Sequence, residues 1–331
     1  MKAIIVKRAC LFVAFCLTSS SVGAVDFGFG LHTQRMSGHT TYHIKFTEFI
    51  PEIGSDLKGD SELEFPLDVF LVGGSARLKG KLKSGEHWSI SLGVSKNVNN
   101  PSGIMKDSDW IALPQYNYST KFSYTESDAE LGALLVCLEG RLGIVRRSNF
   151  AVDLLGGYEY QDFSFEILGA RGWQGFDVSE RVYFDTLQGT NVLDYDVTYQ
   201  LPYGGIAASL RFSPRVSLKA GAAISPRASA SDHDDHLLRF FTADSDCSGW
   251  AMKTGAELGW MVLGDATQSH WSLGLGFGYT RISTKGTQDQ TYYGDEPATP
   301  DEDETGMKIT GIKEKITSSQ IVIQAQIGYE F

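Results

Sequence analysis

Apolar residues alternate with small or polar ones, at a period of two, through much of this chain. Residues 88–95 (WSISLGVS) place Trp88, Ile90, Leu92 and Val94 on one face and Ser89, Ser91, Gly93 and Ser95 on the other. Residues 271–279 (WSLGLGFGY) set Trp271, Leu273, Leu275, Phe277 and Tyr279 against serine and glycine. The chain ends the same way, with Ile321, Ile323, Ala325, Ile327, Tyr329 and Phe331 alternating with Gln324, Gln326 and Glu330. Successive side chains of a strand point to opposite faces, so the pattern predicts strands with one apolar face.

Such strands fit either a soluble sandwich, with apolar faces inward, or a membrane barrel, with apolar faces outward. Residues 1–24 favour the barrel. They join a basic head (Lys2, Lys7, Arg8) to a short apolar core (9–17) and a small-residue stretch (22–24), the makeup of a cleaved export signal. Beyond this leader, no stretch is apolar enough for a transmembrane helix. Aromatics at strand ends, including the terminal Phe331, match the girdles that flank the apolar band of such barrels. Long polar connections (50–62, 98–118, 168–192, 232–249, 285–310) alternate with short ones (83–87, 146–149, 212–215, 264–270). Barrels of the outer membrane alternate short periplasmic turns with longer outer loops. The reading is all-β: a ten-stranded antiparallel transmembrane barrel over residues 25–331. Several strands run well beyond the ~10 residues that cross a bilayer, so the barrel should protrude above the outer membrane.

The net charge of −11 becomes −14 if the leader, with its three basic residues, is removed. That balance repels nucleic-acid phosphates and attracts cationic partners. Cys137 and Cys247, the cysteines outside the leader, make neither a disulfide framework nor a zinc cluster. Cys137 shares strand parity with Glu139 and Arg141, so it is expected in the lumen in a structural role.

Two acidic stretches carry candidate chemistry. KDSDW (106–110) falls in the second long connection and SDHDDH (231–236) opens the fourth, nearly across the barrel mouth. Two-residue spacing directs Asp107 and Asp109 together, and likewise Asp234 and His236. A carboxylate beside an imidazole selects its tautomer and stabilises the imidazolium. A water between the two groups could lose its proton to His236. No GxSxG, HExxH or nucleophilic cysteine context is present. On spacing alone, a solvated loop or an oxygen-lined Ca²⁺ loop stays open. His233 reads as an ordinary loop histidine, and the run 301–304 as solvated.

With these residues the chain resembles the omptin family of outer-membrane aspartate/histidine proteases. The most specific motifs are DxDW (Asp107, Asp109, Trp110) and DxDxH (Asp232, Asp234, His236). GGYEYQDFSF (156–165), LPYGGI (201–206) and the closing GYEF support them. The resemblance implies a ten-stranded barrel cutting peptides or proteins next to Arg or Lys. It implies Asp107 and Asp109 facing the Asp234–His236 dyad, with water as nucleophile, on the cell's exterior and without a metal. It implies a specificity pocket with Asp232 at one of its two acidic positions; Tyr42 stands at the other, where the family has glutamate. It also implies activation by lipopolysaccharide through basic residues on the barrel wall. Asp162 and Thr198 stand where arginine is expected, although Tyr158 is retained. The alternative from another class is a catalytically silent surface barrel acting as an adhesin or binding protein.

Overall fold

The computed structural model describes residues 22–50, 55–100, 103–112, 119–175, 178–264, 269–295 and 303–331. Its strands are β1 (Val22–Ile50), β2 (Ser55–Pro66), β3 (Val69–Leu82), β4 (His87–Asn97), β5 (Gly103–Ala112), β6 (Thr120–Arg146), β7 (Phe150–Gln174), β8 (Val182–Arg211), β9 (Val216–His236), β10 (Phe241–Gly264), β11 (His270–Tyr292) and β12 (Lys308–Glu330). Most of the predicted leader lies outside the described residues, and the backbone of 22–24 opens β1.

All neighbouring strands pair antiparallel, and β12 pairs with β1 to close the ring. Twelve segments make a ring of ten because two positions are shared. β1 pairs with β3 along its lower half (Met36↔Val69) and with β2 along its upper half (His39↔Pro66). β6 likewise pairs with β4 below and β5 above. The change of partner on β1 falls at Gly38, whose φ of 135° disfavours any side chain. A Cβ there would sit 2.0 Å from the Ser319 carbonyl oxygen. The Gly38 carbonyl accepts the Leu67 amide (2.9 Å), which bridges the gap between β2 and β3.

The short turns fall at 83–86, 147–149 and 212–215, where the sequence places them. The long connections are another matter. Much of each predicted loop is strand: β5 lies inside one of them, β2 begins inside another, and β9 and β10 meet across only residues 237–240. Above the lipid the outer face meets water, so its polar residues hide the apolar–polar alternation while the backbone ladder continues. The protruding part of the barrel is therefore walled by strands.

The two faces invert the arrangement of a soluble sandwich. Leu31, Phe70, Leu92, Leu154, Ile206, Ile224, Leu258, Leu275 and Ile323 stand exposed on the outside of the lower half. Phe27, Phe29, Trp271, Tyr329 and Phe331 cluster at the lower rim as an aromatic girdle. Inside, buried polar groups pair across the bore. Gln161 and Gln320 exchange amide hydrogen bonds (3.0 and 2.7 Å), and Lys253 meets Glu159. Cys137 lies in this lumen, its sulfur 3.4 Å from the Tyr203 hydroxyl. Higher up, the bore fills with Tyr42, Phe65, Phe163, Phe165, Tyr195 and Tyr199. Phe65 stacks on Tyr195 (centroids 4.2 Å apart) and leans on Phe165 (5.1 Å).

This division of faces has a measurable consequence. Leu275, 62% exposed, lies in the apolar band. Leu275→Arg is expected to cost about 2–4 kcal/mol, the penalty for arginine deep in a bilayer. Reversible denaturant unfolding of the barrel refolded in vesicles measures it, and an unchanged stability would place this face in water.

Candidate active site

Above the aromatic plug, two strands bring the predicted residues together. Asp107 and Asp109 lie on β5, opposite Leu63 and Ser61 of β2. Asp232, Asp234 and His236 lie at the end of β9, and Asp234 sits opposite Ala243 and Tyr195. β5 and β9 are separated by β6, β7 and β8, so the two groups face each other across the bore. The alternation that puts i and i+2 on one face directs these side chains inward from continuous strand, not from loops.

Asp234 is 1% exposed, and its Oδ2 accepts from two sides. His236 Nε2 lies 3.0 Å away, and the Tyr42 hydroxyl donates at 2.8 Å. With the Nε2 proton engaged by Asp234, the basic lone pair of the neutral imidazole is at Nδ1. The ring stacks on Phe241, centroids 4.2 Å apart, and the Arg239 guanidinium also lies over the Phe241 ring, at 5.0 Å. The connection behind this stack is tight. Phe240 holds a positive φ of 55°, and its carbonyl accepts the Tyr293 amide at 2.8 Å. Four residues therefore return the chain from His236 to Phe241 and put the two rings in contact.

Across the bore, Ser123 donates to Asp109 through its hydroxyl. Burial pushes the Asp107 carboxyl well above the usual carboxylate range, and the charges of Asp109 and Asp234 push it further; Arg239 opposes them. Asp107 Oδ1 and Asp234 Oδ1 are buried without a protein donor. Tyr42 is likewise held well above its ordinary range, first by burial and then by Asp234.

Below this level, Asp232 accepts from the Tyr195 hydroxyl (3.0 Å) and from the Ser245 hydroxyl. Burial raises its pKa. Glu314, from β12, is its neighbour, and sequence reasoning did not single it out. The signal was available: in KEK (313–315) both lysines are exposed and Glu314 points inward, on the parity of Ser318 and Gln320. Tyr42 stands at the second pocket position that the resemblance implies. It is 2% exposed, its ring flanked by Tyr195 (5.5 Å) and Phe65 (6.2 Å), and its hydroxyl serves Asp234. Phe241 and Arg239 also escaped the sequence reading, because stacking across a turn leaves no spacing motif.

His233 sits on the opposite face of β9 and meets Asp244 (2.8 Å). On the barrel wall, Thr198 donates to Asp162 (2.9 Å) and Tyr158 to Gln200 (2.9 Å). Within the acidic run, Asp301 and Glu302 lie outside the described residues.

The omptin family model matches residues 75–326. The chain belongs to the omptin family. Among solved structures, it is similar to the outer membrane protease OmpT from Escherichia coli. The TM-score is 0.74 at 17% identity, covering 95% of this chain and 99% of that one. That likeness bears on the fold and matches the ring of ten strands. A looser likeness links it to the outer membrane protein OprG from Pseudomonas aeruginosa, with TM-score 0.30 and 10% identity over 93% and 96% of the chains. No curated protein matches the chain by sequence. Family and fold together support an outer-membrane protease, a hydrolase.

The Tyr42 contact predicts a positioning role. Tyr42→Phe removes one of two donors to a buried carboxylate, and hydrogen bonds to charged groups contribute about 1.5–3 kcal/mol. In an omptin barrel that cleaves peptide, this variant is expected to lower kcat by about tenfold or more with little change in KM. Unchanged kcat would reduce Tyr42 to packing.

Proposed function

We propose that this omptin is an endopeptidase of the outer membrane that opens to the exterior and cuts cationic peptides or proteins beside Arg or Lys. One observation carries the reading: a carboxylate–imidazole pair, the buried Asp234 with the half-buried His236, faces Asp107 and Asp109 across the top of the ring of strands. Asp107, Asp109, Asp234 and His236 include no serine, threonine or cysteine nucleophile, and a carboxylate beside an imidazole suits the activation of water. The attacking group is therefore water, deprotonated by His236.

The steps follow from the geometry. His236 Nδ1 takes a proton from water as the oxygen attacks the scissile carbonyl carbon. Asp234, fixed by Tyr42, stabilises the imidazolium. Asp107, its pKa raised by burial and by Asp109 and Asp234, carries a proton and donates it as a hydrogen bond to the carbonyl oxygen where charge builds up. When the C–N bond breaks, the imidazolium returns the proton to the leaving amine. Water has then been divided between the two products, and the residues are restored.

Specificity follows from charge. Asp107, Asp109, Asp232 and Asp234 gather inside a mouth on an acidic protein, and a focused negative field concentrates cationic substrates. The wall around Asp162 and Thr198 carries their neutral-to-acid hydrogen bond in place of a basic cluster, which favours activity independent of lipopolysaccharide.

His236→Ala and Asp234→Asn are each expected to lower turnover of a fluorogenic peptide with paired basic residues by ~10²–10⁴, with the barrel still folded. The assay is run with and without lipopolysaccharide. Turnover at the wild-type level in His236→Ala would refute the base assignment.

Asp107 supplies a second check through its sign. A protonated donor with a raised pKa works below that pKa and is lost as pH rises through it. Asp107→Asn cannot ionise, so it should lower kcat/KM while flattening the alkaline fall of the profile. If Asp107→Asn and Asp109→Asn both keep the wild-type rate and profile, the pair is a solvated edge.

A further inference from the structure

Glu314 occupies an unusual place for a carboxylate. It is 3% exposed, and neither of its oxygens stands in hydrogen-bonding geometry with a protein donor, although Asp232 and Ser245 lie near enough to act on it. A buried carboxyl without a donor is costly to maintain. Its strand neighbours Lys313 and Lys315 point outward, so no charge on β12 compensates it. What it faces is acidic. Asp232 and Asp234 of β9 act on it directly, with Tyr42 of β1, Tyr195 of β8 and Cys247 of β10 around it. Asp232 has both oxygens engaged, by Ser245 and Tyr195, whereas Glu314 has two unused acceptors.

We propose that Glu314 is a specificity-determining residue of this protease: with Asp232 it forms a recessed acidic pair that takes the guanidinium or ammonium group of the substrate. The inference rests on the proteolytic reading above and deepens it. The recess lies one step along β9 from the Asp234–His236 dyad, since Asp232 and Asp234 share a face two residues apart. A cationic side chain reaching down from a peptide held at the dyad meets Asp232 and Glu314 at its tip. Its N–H groups supply the donors that Glu314 lacks, in charge-assisted hydrogen bonds. This chain thereby draws the second carboxylate of its pocket from the last strand, and Tyr42 is free to hold Asp234.

The arrangement also links binding to a proton. Burial, then the charge of Asp232, pushes Glu314 up to about 9, so Glu314 holds its own proton at neutral pH while no cation is bound. A cation favours the ionised form and displaces that proton. Preference for a basic residue should therefore strengthen as pH rises from mildly acidic to mildly alkaline.

The test compares kcat/KM for matched peptides carrying Arg, Lys or Ala before the scissile bond, in wild type, Glu314→Gln and Glu314→Asp. Glu314→Gln is expected to cut the Arg/Ala ratio roughly 10- to 100-fold, the effect of losing one charged hydrogen-bond partner. Glu314→Asp should restore part of it. A second readout needs no turnover. Butylguanidinium titrated calorimetrically into refolded barrel, in two buffers of different ionisation enthalpy, should release a fraction of a proton from wild type and less from Glu314→Gln. An unchanged Arg/Ala ratio in folded Glu314→Gln, or equal proton release, would overturn the proposal. Absence of cleavage by wild type would overturn the proteolytic reading instead, and the calorimetric result would still decide the role of Glu314.

Discussion

Closure of the backbone ladder is the constraint on which the rest of this molecule depends. In hydrocarbon, an unpaired amide or carbonyl has no water to bind, so a sheet crossing a membrane must end where it began. Here β12 pairs with β1 through eighteen registered residues, from Gly28↔Glu330 to Lys45↔Lys313. That register fixes everything above it. It carries Glu314 to the inner wall and sets Tyr42 two strands from β11. It also makes β5 and β9 opposite points of a ring, which a flat sheet would not.

Closure alone gives a tube, and a tube does not hold side chains to the tolerance of chemistry. The aromatic plug supplies a floor. Tyr42 and Tyr195 belong to this floor by their rings and to the acidic site by their hydroxyls. Packing and electrostatics are thereby joined in the same residues. The rings resist displacement, as close-packed interiors do, and the hydroxyls hold Asp234 and Asp232 in place. On β10, the Phe241 ring stacked on His236 limits how the imidazole can turn beside Asp234.

Much of this was legible in the sequence. Where a strand faces lipid, chemistry is strictly alternating, so Leu273, Leu275 and Phe277 announced both the strand and its outer face. The short turns were legible for the same reason, since Ser84–Gly85 or Ser213–Pro214 interrupts the alternation. Two-residue spacing sufficed to place Asp234 with His236. The protrusion was legible from strand length, but the strand segments inside the predicted long loops were not: β2 and β5 are polar on faces that meet water, and the alternation that marks strands disappears there. Contacts between distant strands were equally hidden. The packing of Tyr42 was hidden because spacing says nothing about the ring of Tyr195 beside it. Glu314 looked like one more charge between two lysines, because its partner lies some eighty residues away on β9.

The plug also settles what this barrel does not transport. Rings from opposite walls meet at 4.2–5.1 Å across the bore, closer than a water file or a hydrated ion requires. Many barrels of similar girth are conduits, and their interiors connect the two sides of the membrane. This one is a cup. Solutes admitted at its mouth depart by the same opening, so both fragments of a severed chain return to the compartment that delivered it.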